Sequence, residues 1–214
     1  MKSILLGLLL ITPCVVFSKE PQIYDVNRHI LNAINVHVWS GFYSPREVQK
    51  TISYLLEDGA DEAMLRGSVN GVFEQKLIAE RAWPQITDND RLNSVFAELK
   101  SKGILCLHNT GYTMSDGHED SYDALSRFPK SQFYGYCFYH GQDLERAVFG
   151  GGLMIAYDHV NGDVPDKIKV GQEIKTELEK GGFTLNWNGT TNQRINIPNF
   201  DWKNRTSWYK YHDR

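Results

Sequence analysis

The sequence predicts an α+β fold: a helical N-terminal half packed on a mixed sheet of about five strands with interleaved helices. Helical apolar spacing dominates from Pro21 to Lys102. From Ile104 onward, short runs rich in aliphatic and aromatic residues alternate with helical stretches. At 214 residues, 41% of them hydrophobic and 23% charged, the chain can bury a real core within one continuous domain.

Residues 1–18 read as a signal peptide. Lys2 gives a positive start, Ile4 to Phe17 is apolar apart from Thr12, Pro13 and two small residues, and Val16-Phe17-Ser18 offers a cleavage site before Lys19. A spanning helix needs roughly 20 apolar residues, so no membrane attachment is expected after cleavage and the mature protein is expected in the periplasm or outside the cell. The competing reading is a buried N-terminal strand or helix. A lipid anchor at Cys14 fits poorly, because Pro13 stands where such sites carry a small residue.

Residues 19–103 form the helical region. Ile23, Val26, Ile30 and Ile34 share one helical face up to a break at Ser40-Gly41. Ser44-Pro45-Arg46-Glu47 is a capping box with proline at the first helical position, and Val48, Ile52 and Leu55 continue the helix. Leu65, Val69, Val72, Phe73 and Leu77 predict a third helix, and Leu92, Val95, Phe96 and Leu99 a fourth that Gly103 stops.

Residues 104–214 form the sheet region. Strands are expected at Ile104 to His108, Phe133 to His140, Leu153 to Tyr157, Phe183 to Trp187 and Arg194 to Ile197. Helices are expected at His118 to Phe128, Gln142 to Phe149 and Gly171 to Lys180, the last ended by Gly181-Gly182. Asn188-Gly189 begins the turn of a final hairpin.

Two polar segments hold the residue types that can carry chemistry. His140-Gly141-Gln142-Asp143 leaves a strand and opens a helix, so its side chains and helix amides point out at a sheet edge. There His140 can act as a base positioned by Asp143. The plainer reading, which capping preference favours, is that Asp143 caps the helix. The loop from His108 to Asp120 adds Tyr112, Asp116 and His118, but its spacing matches no strong zinc pattern. There the plainer reading is that Ser115 or Asp116 caps a helix starting near His118. No metal and no cofactor are expected, since neither a Cys-x-x-Cys pair, a Walker sequence nor a Gly-x-Ser-x-Gly elbow occurs. Gly150-Gly151-Gly152 follows a helix and precedes a strand, the reverse of a phosphate loop, and reads as a C-cap with close packing.

With the signal removed, Cys106 and Cys137 are the remaining thiols, either a disulfide in an oxidising compartment or inert buried thiols. Strand parity links them to the histidines. If neighbouring strands bring the cysteines together on one face, His108 and His140 fall on opposite faces, so a disulfide and a metal site at those histidines exclude each other. A net charge of -3 and a pI near 6.2 give no basic field for nucleic acid. The tail from Phe200 to Arg214 mixes Trp202, Trp208, Tyr209 and Tyr211 with cations, but reads as a docked tail or partner surface rather than a stacking platform for bases.

The run Tyr139-His140-x-Gln142-Asp143, then Ala147-Val148 and Gly150-Gly151-Gly152-Leu153, resembles the bacterial family of domain of unknown function 6891. The resemblance extends from about Leu92 to Trp202 and includes Val170-Gly171-x-Glu173 and Asp201-Trp202. It implies no activity. Many members carry a cysteine-rich stretch after the position of Asn109, where this chain has Tyr112, Thr113 and Asp116 while keeping Gly117-His118. Any metal or redox role of those cysteines is then lost here. The expectation is an exported, non-enzymatic binding protein with a protein partner, in its narrowest form an immunity protein that occludes the site of a toxin. Its expected binding set is Tyr112, Asp116, His118, His140, Gln142 and Asp143. The alternative is a small hydrolase or metal-dependent enzyme using His140 with Asp143 and His118 with Asp116.

Overall fold

The computed structural model describes residues 25–212; the expected signal peptide lies outside them. The helical region opens with α1 (Val26–Ser40), α2 (Pro45–Leu55), α3 (Glu62–Glu80) and α4 (Asp88–Ser101). The sheet region runs β1 (Ile104–Leu107), α5 (Met114–Ser126), β2 (Gly135–Phe138), α6 (Gly141–Val148), β3 (Leu153–His159), α7 (Val164–Lys180), β4 (Ile195–Ile197) and α8 (Trp208–His212). The α+β class is as expected.

Each helix start has a local chemical cause. Asp25, Ser44, Asp61, Thr87, Thr113, His140 and Asp163 accept backbone N–H groups at the N-termini of α1 to α7. Ser44 with Glu47 forms the expected capping box, and Thr87 with Asp90 forms another that sets the start of α4 before Leu92. α5 begins earlier than expected, because Thr113 is its cap and Asp116 its reciprocal partner; neither Ser115 nor Asp116 is the cap.

The sheet has four strands in the order β1-β2-β3-β4, parallel between β1 and β2 and antiparallel thereafter. The expected strand at Phe183 to Trp187 reduces to a single bridge between Asn186 and Asn196. Its alternation has another cause: Phe183 stacks on Phe200 inside the core, and the Trp187 indole N–H reaches the carbonyls of Thr190 and Gln193. A three-residue β4 offers little ladder to pair with.

Alternation along β2 divides the core. Cys137 and Tyr139 face α4 and α7, with Leu99, Ile104, Ile155, Ile174 and Leu178. Tyr136 and Phe138 face α5, with Leu105, Phe133 and Ala156. Helices α1 to α3 have their own core of Ile30, Ile34, Val38, Ile52, Leu65, Val69 and Phe73. Thus α4, grouped by sequence with the helical region, packs on the sheet.

The described part of the C-terminal tail is docked. Backbone amides of Asp201, Lys203 and Thr206 donate to Asp88, Asn89 and Glu80 side chains, and the Asn204 amide donates to the Ser40 carbonyl. Trp202 is buried against Phe42, Tyr139 and Phe200. Lys76, fully buried on α3, donates to the Thr206 hydroxyl and pairs with Glu80. Among the described residues no helix is long and apolar enough to cross a membrane.

Candidate functional site

The loop after β1 and the turn after β2 leave the sheet side by side, because β1 and β2 are parallel. Thr110 N–H donates to the Tyr139 carbonyl, and Gly141 and Gln142 N–H donate to the Gly111 and Tyr112 carbonyls. Asp143 N–H donates to His140 Nδ1 at 3.3 Å, and Leu144 N–H to the His140 carbonyl. The first four amides of α6 are therefore all used inside the protein. The expectation of free amides at this turn is corrected: the neighbouring loop and the cap occupy them.

His140 itself is the cap of α6, reversing the expected role of Asp143. The Asp143 carboxylate returns the bond by accepting from His140 N–H at 3.4 Å. With Nδ1 accepting, the imidazole proton sits on Nε2, 3.2 Å from Asp143 Oδ2. Arg194, which sequence spacing gave no reason to associate with this turn, places Nη1 at 2.7 and 2.8 Å from the two Asp143 oxygens. Burial lowers the pKa of His140 against the opposing pull of Asp143, so the neutral ring is favoured.

Asp116 is exposed and accepts N–H groups from Tyr112 and Thr113, bonds that lower its pKa, the Thr113 backbone contributing most. His118, half-buried on α5, lies 2.8 Å from the Tyr136 hydroxyl and edge-on to Phe138, and burial lowers its pKa. It lines a cleft of about 510 Å³ with Met114, Ala156, Tyr157, Asn192 and Arg194. Gln142 is exposed. Tyr112 is exposed, covers Gly141 and donates its hydroxyl to Glu145 Oε1 at 3.2 Å. Among the described residues no group of three or more His, Cys, Asp or Glu side chains is placed to hold a metal ion.

The cysteines lie directly opposite in the β1–β2 register, with sulfurs 3.2 Å apart and free thiols. Burial, then the contact with Cys137, raises the pKa of Cys106. As parity requires, the histidines separate: His108 meets Phe96 and the Tyr139 hydroxyl, while His140 meets Asp143 and Arg194.

A second concavity lies at the carboxyl ends of β1 and β2, where open sheets commonly bind ligands. It measures about 310 Å³ and is walled by Val36, His37, Tyr43, Asn109, Gly111, Tyr112, Gly141, Leu144 and Glu145. Asn109 is the one described non-glycine residue at positive φ, 49°, and its side-chain amide donates to the Tyr43 hydroxyl at 3.1 Å. Gly111, at φ 64°, has no room for a Cβ beside the Asp116 backbone. Of the expected binding residues, only Tyr112 lines this cavity. His37, Tyr43 and Glu145 were missed because they come from separate helices and loops; the one local signal was Asn109 with Gly111 just past a strand, both suited to left-handed backbone.

A family model described as Domain of unknown function (DUF6891) matches residues 24–206, well beyond the Leu92 to Trp202 stretch that carried the resemblance and including the helical half. Comparison with curated proteins and with solved structures gave no match.

Proposed function

The chain belongs to the DUF6891 family, and from that premise we propose that it is a non-enzymatic binding protein, exported to the periplasm or the medium, that captures a protein partner. The observation that carries this reading is the commitment of the enzyme-type side chains. Asp116 and Asp143 complete capping boxes, His140 spends both ring nitrogens at the start of α6, and His118 is held against Tyr136. A general base needs a free lone pair within reach of substrate; His140 has none in this arrangement. The carboxyl-edge cavity, by contrast, is rimmed by an exposed tyrosine and a partly exposed glutamate. Exposed aromatic residues beside a concavity suit anchoring of a partner. In its narrowest form the reading is an immunity protein that occludes the site of a toxin.

The test is affinity capture from the secreted proteins of the same species and its competitors, then calorimetric titration with the purified partner. The expected result is a one-to-one complex weakened when Tyr112 is replaced by alanine. Turnover of a test substrate that His140→Ala abolishes, with no partner retained, would replace this reading with the hydrolase one.

A further inference from the structure

We propose that the cavity at the carboxyl ends of β1 and β2 takes a primary ammonium group, from a free alkylamine or from a lysine side chain of a protein partner; the inference rests on the binding reading above. The lining supplies the charge. Among the described residues Glu145 is its only carboxylate, and no lysine or arginine lines it. Tyr112 occupies Glu145 Oε1, leaving Oε2 to accept.

Two further acceptors are left open by bonds already made. The Asn109 amide nitrogen donates to Tyr43, so its Oδ1 remains without a partner among the described residues. His37 Nδ1 lies 2.7 Å from the Ala33 carbonyl and must donate to it, so in the neutral tautomer Nε2 is the acceptor. An ammonium carries three donors and no acceptor, matching three acceptors around one cavity. The rings of Tyr43 and Tyr112 add faces that attract a cation. Val36 and Leu144 give apolar wall for a methylene stem. At about 310 Å³ the space suits a short chain ending in a compact charge rather than a large cofactor.

The backbone supports the same assignment. Asn109 is held in left-handed conformation between His108 and Thr110, and Thr110 N–H is tied to the Tyr139 carbonyl. Strained positions persist where surroundings over-determine them, commonly at ligand sites. Here the conformation lets the Asn109 side chain reach Tyr43 across the seam between the helical half and the sheet half.

The experiment uses ¹⁵N-labelled protein produced from the full-length chain, titrated separately with 1-pentylamine, Nα-acetyl-lysine N-methylamide and 1-pentanol. Expected are saturable shifts of the Asn109, Tyr112, Gly141 and Glu145 amides with both amines, none with 1-pentanol, and about tenfold or greater weakening in Glu145→Gln, as loss of a charge-assisted bond requires. The spectrum of Glu145→Gln reports its own folding, and Tyr112→Phe, which frees Glu145 Oε1, is expected to keep amine binding. Tighter binding of the lysine derivative identifies a partner's side chain as the source; tighter binding of pentylamine identifies a free amine. Equal binding of 1-pentanol, amine binding indifferent to Glu145→Gln, or no saturable shift overturns the inference. Absence of saturable amine binding removes the ammonium assignment but leaves the binding reading, whereas partner capture that survives Glu145→Gln removes only a partner's lysine as the source; amine binding with no protein partner keeps the ammonium assignment and removes the binding reading.

Discussion

His140 shows how one side chain can look catalytic and be structural. As the cap of α6 it holds the ring neutral, and burial lowers its pKa from 6.5. Below 6.5 the unfolded chain takes up a proton that the folded chain resists, so this residue's contribution to stability falls as pH drops through that range. His140→Asn, which keeps a capping acceptor, is expected to flatten the acid side of the stability–pH curve, whereas His140→Ala should cost about 1 kcal/mol at neutral pH. Chemical denaturation from pH 7 down to 5 separates the two; an unchanged acid slope in His140→Asn counts against the neutral-cap assignment. Lys76 is the alkaline counterpart. Burial lowers its pKa from 10.5 to about 8, against the raising effect of Glu80. Below about 8 both states carry the proton and the folded state bears the cost of burying it; as pH rises toward 10.5 the folded state releases it first and stability increases. The gain is on the order of 3 kcal/mol. Lys76→Met is expected to remove that rise in denaturation curves, and a rise that persists would assign it elsewhere.

At the scale of elements, β1 and β2 bring the two cysteines into register. Adjacent strands lie about 4.8 Å apart, within the Cα range a disulfide accepts. Wild-type protein recovered from an oxidising compartment is therefore expected to be two hydrogens lighter by intact mass, and Cys137→Ala to keep a single free thiol at Cys106; two reactive thiols in the wild type recovered from that compartment would contradict this. The separation of His108 from His140, given paired cysteines, was legible in the sequence because parity depends on the two-residue repeat alone; the pairing itself was not. So were the helix faces of α1, α2 and α4 and the cap at Ser44. The cap at His140 was hidden, since imidazole is an uncommon capping group and Asp143 offered a commoner one. Arg194 was hidden for a different reason: it lies 51 residues from Asp143, and only the fold joins them. The carboxyl-edge cavity drew its walls from α1, the following loop, the β1–α5 loop and α6, so no single window contained it.

At the scale of the molecule, the helical half and the sheet half are joined by a docked tail. Residues 201–206 bind side chains of α3 and α4, and Tyr211 packs on Phe73 of the helical core. Removing residues 203–214 takes away the Thr206 contact to Lys76 and the Arg205 contacts to Asp90 and the Pro84 carbonyl. The expected result is loss of a single cooperative transition, with α1 to α3 melting below the sheet half in calorimetry; one transition at unchanged temperature would show the tail to be incidental. The tail also fixes the order in which the chain can mature. Helix α3 is completed by Thr206, 126 positions beyond Glu80, and contacts of such sequence separation form slowly. The helical half therefore closes late, once segments 126 and 130 positions apart in sequence have met.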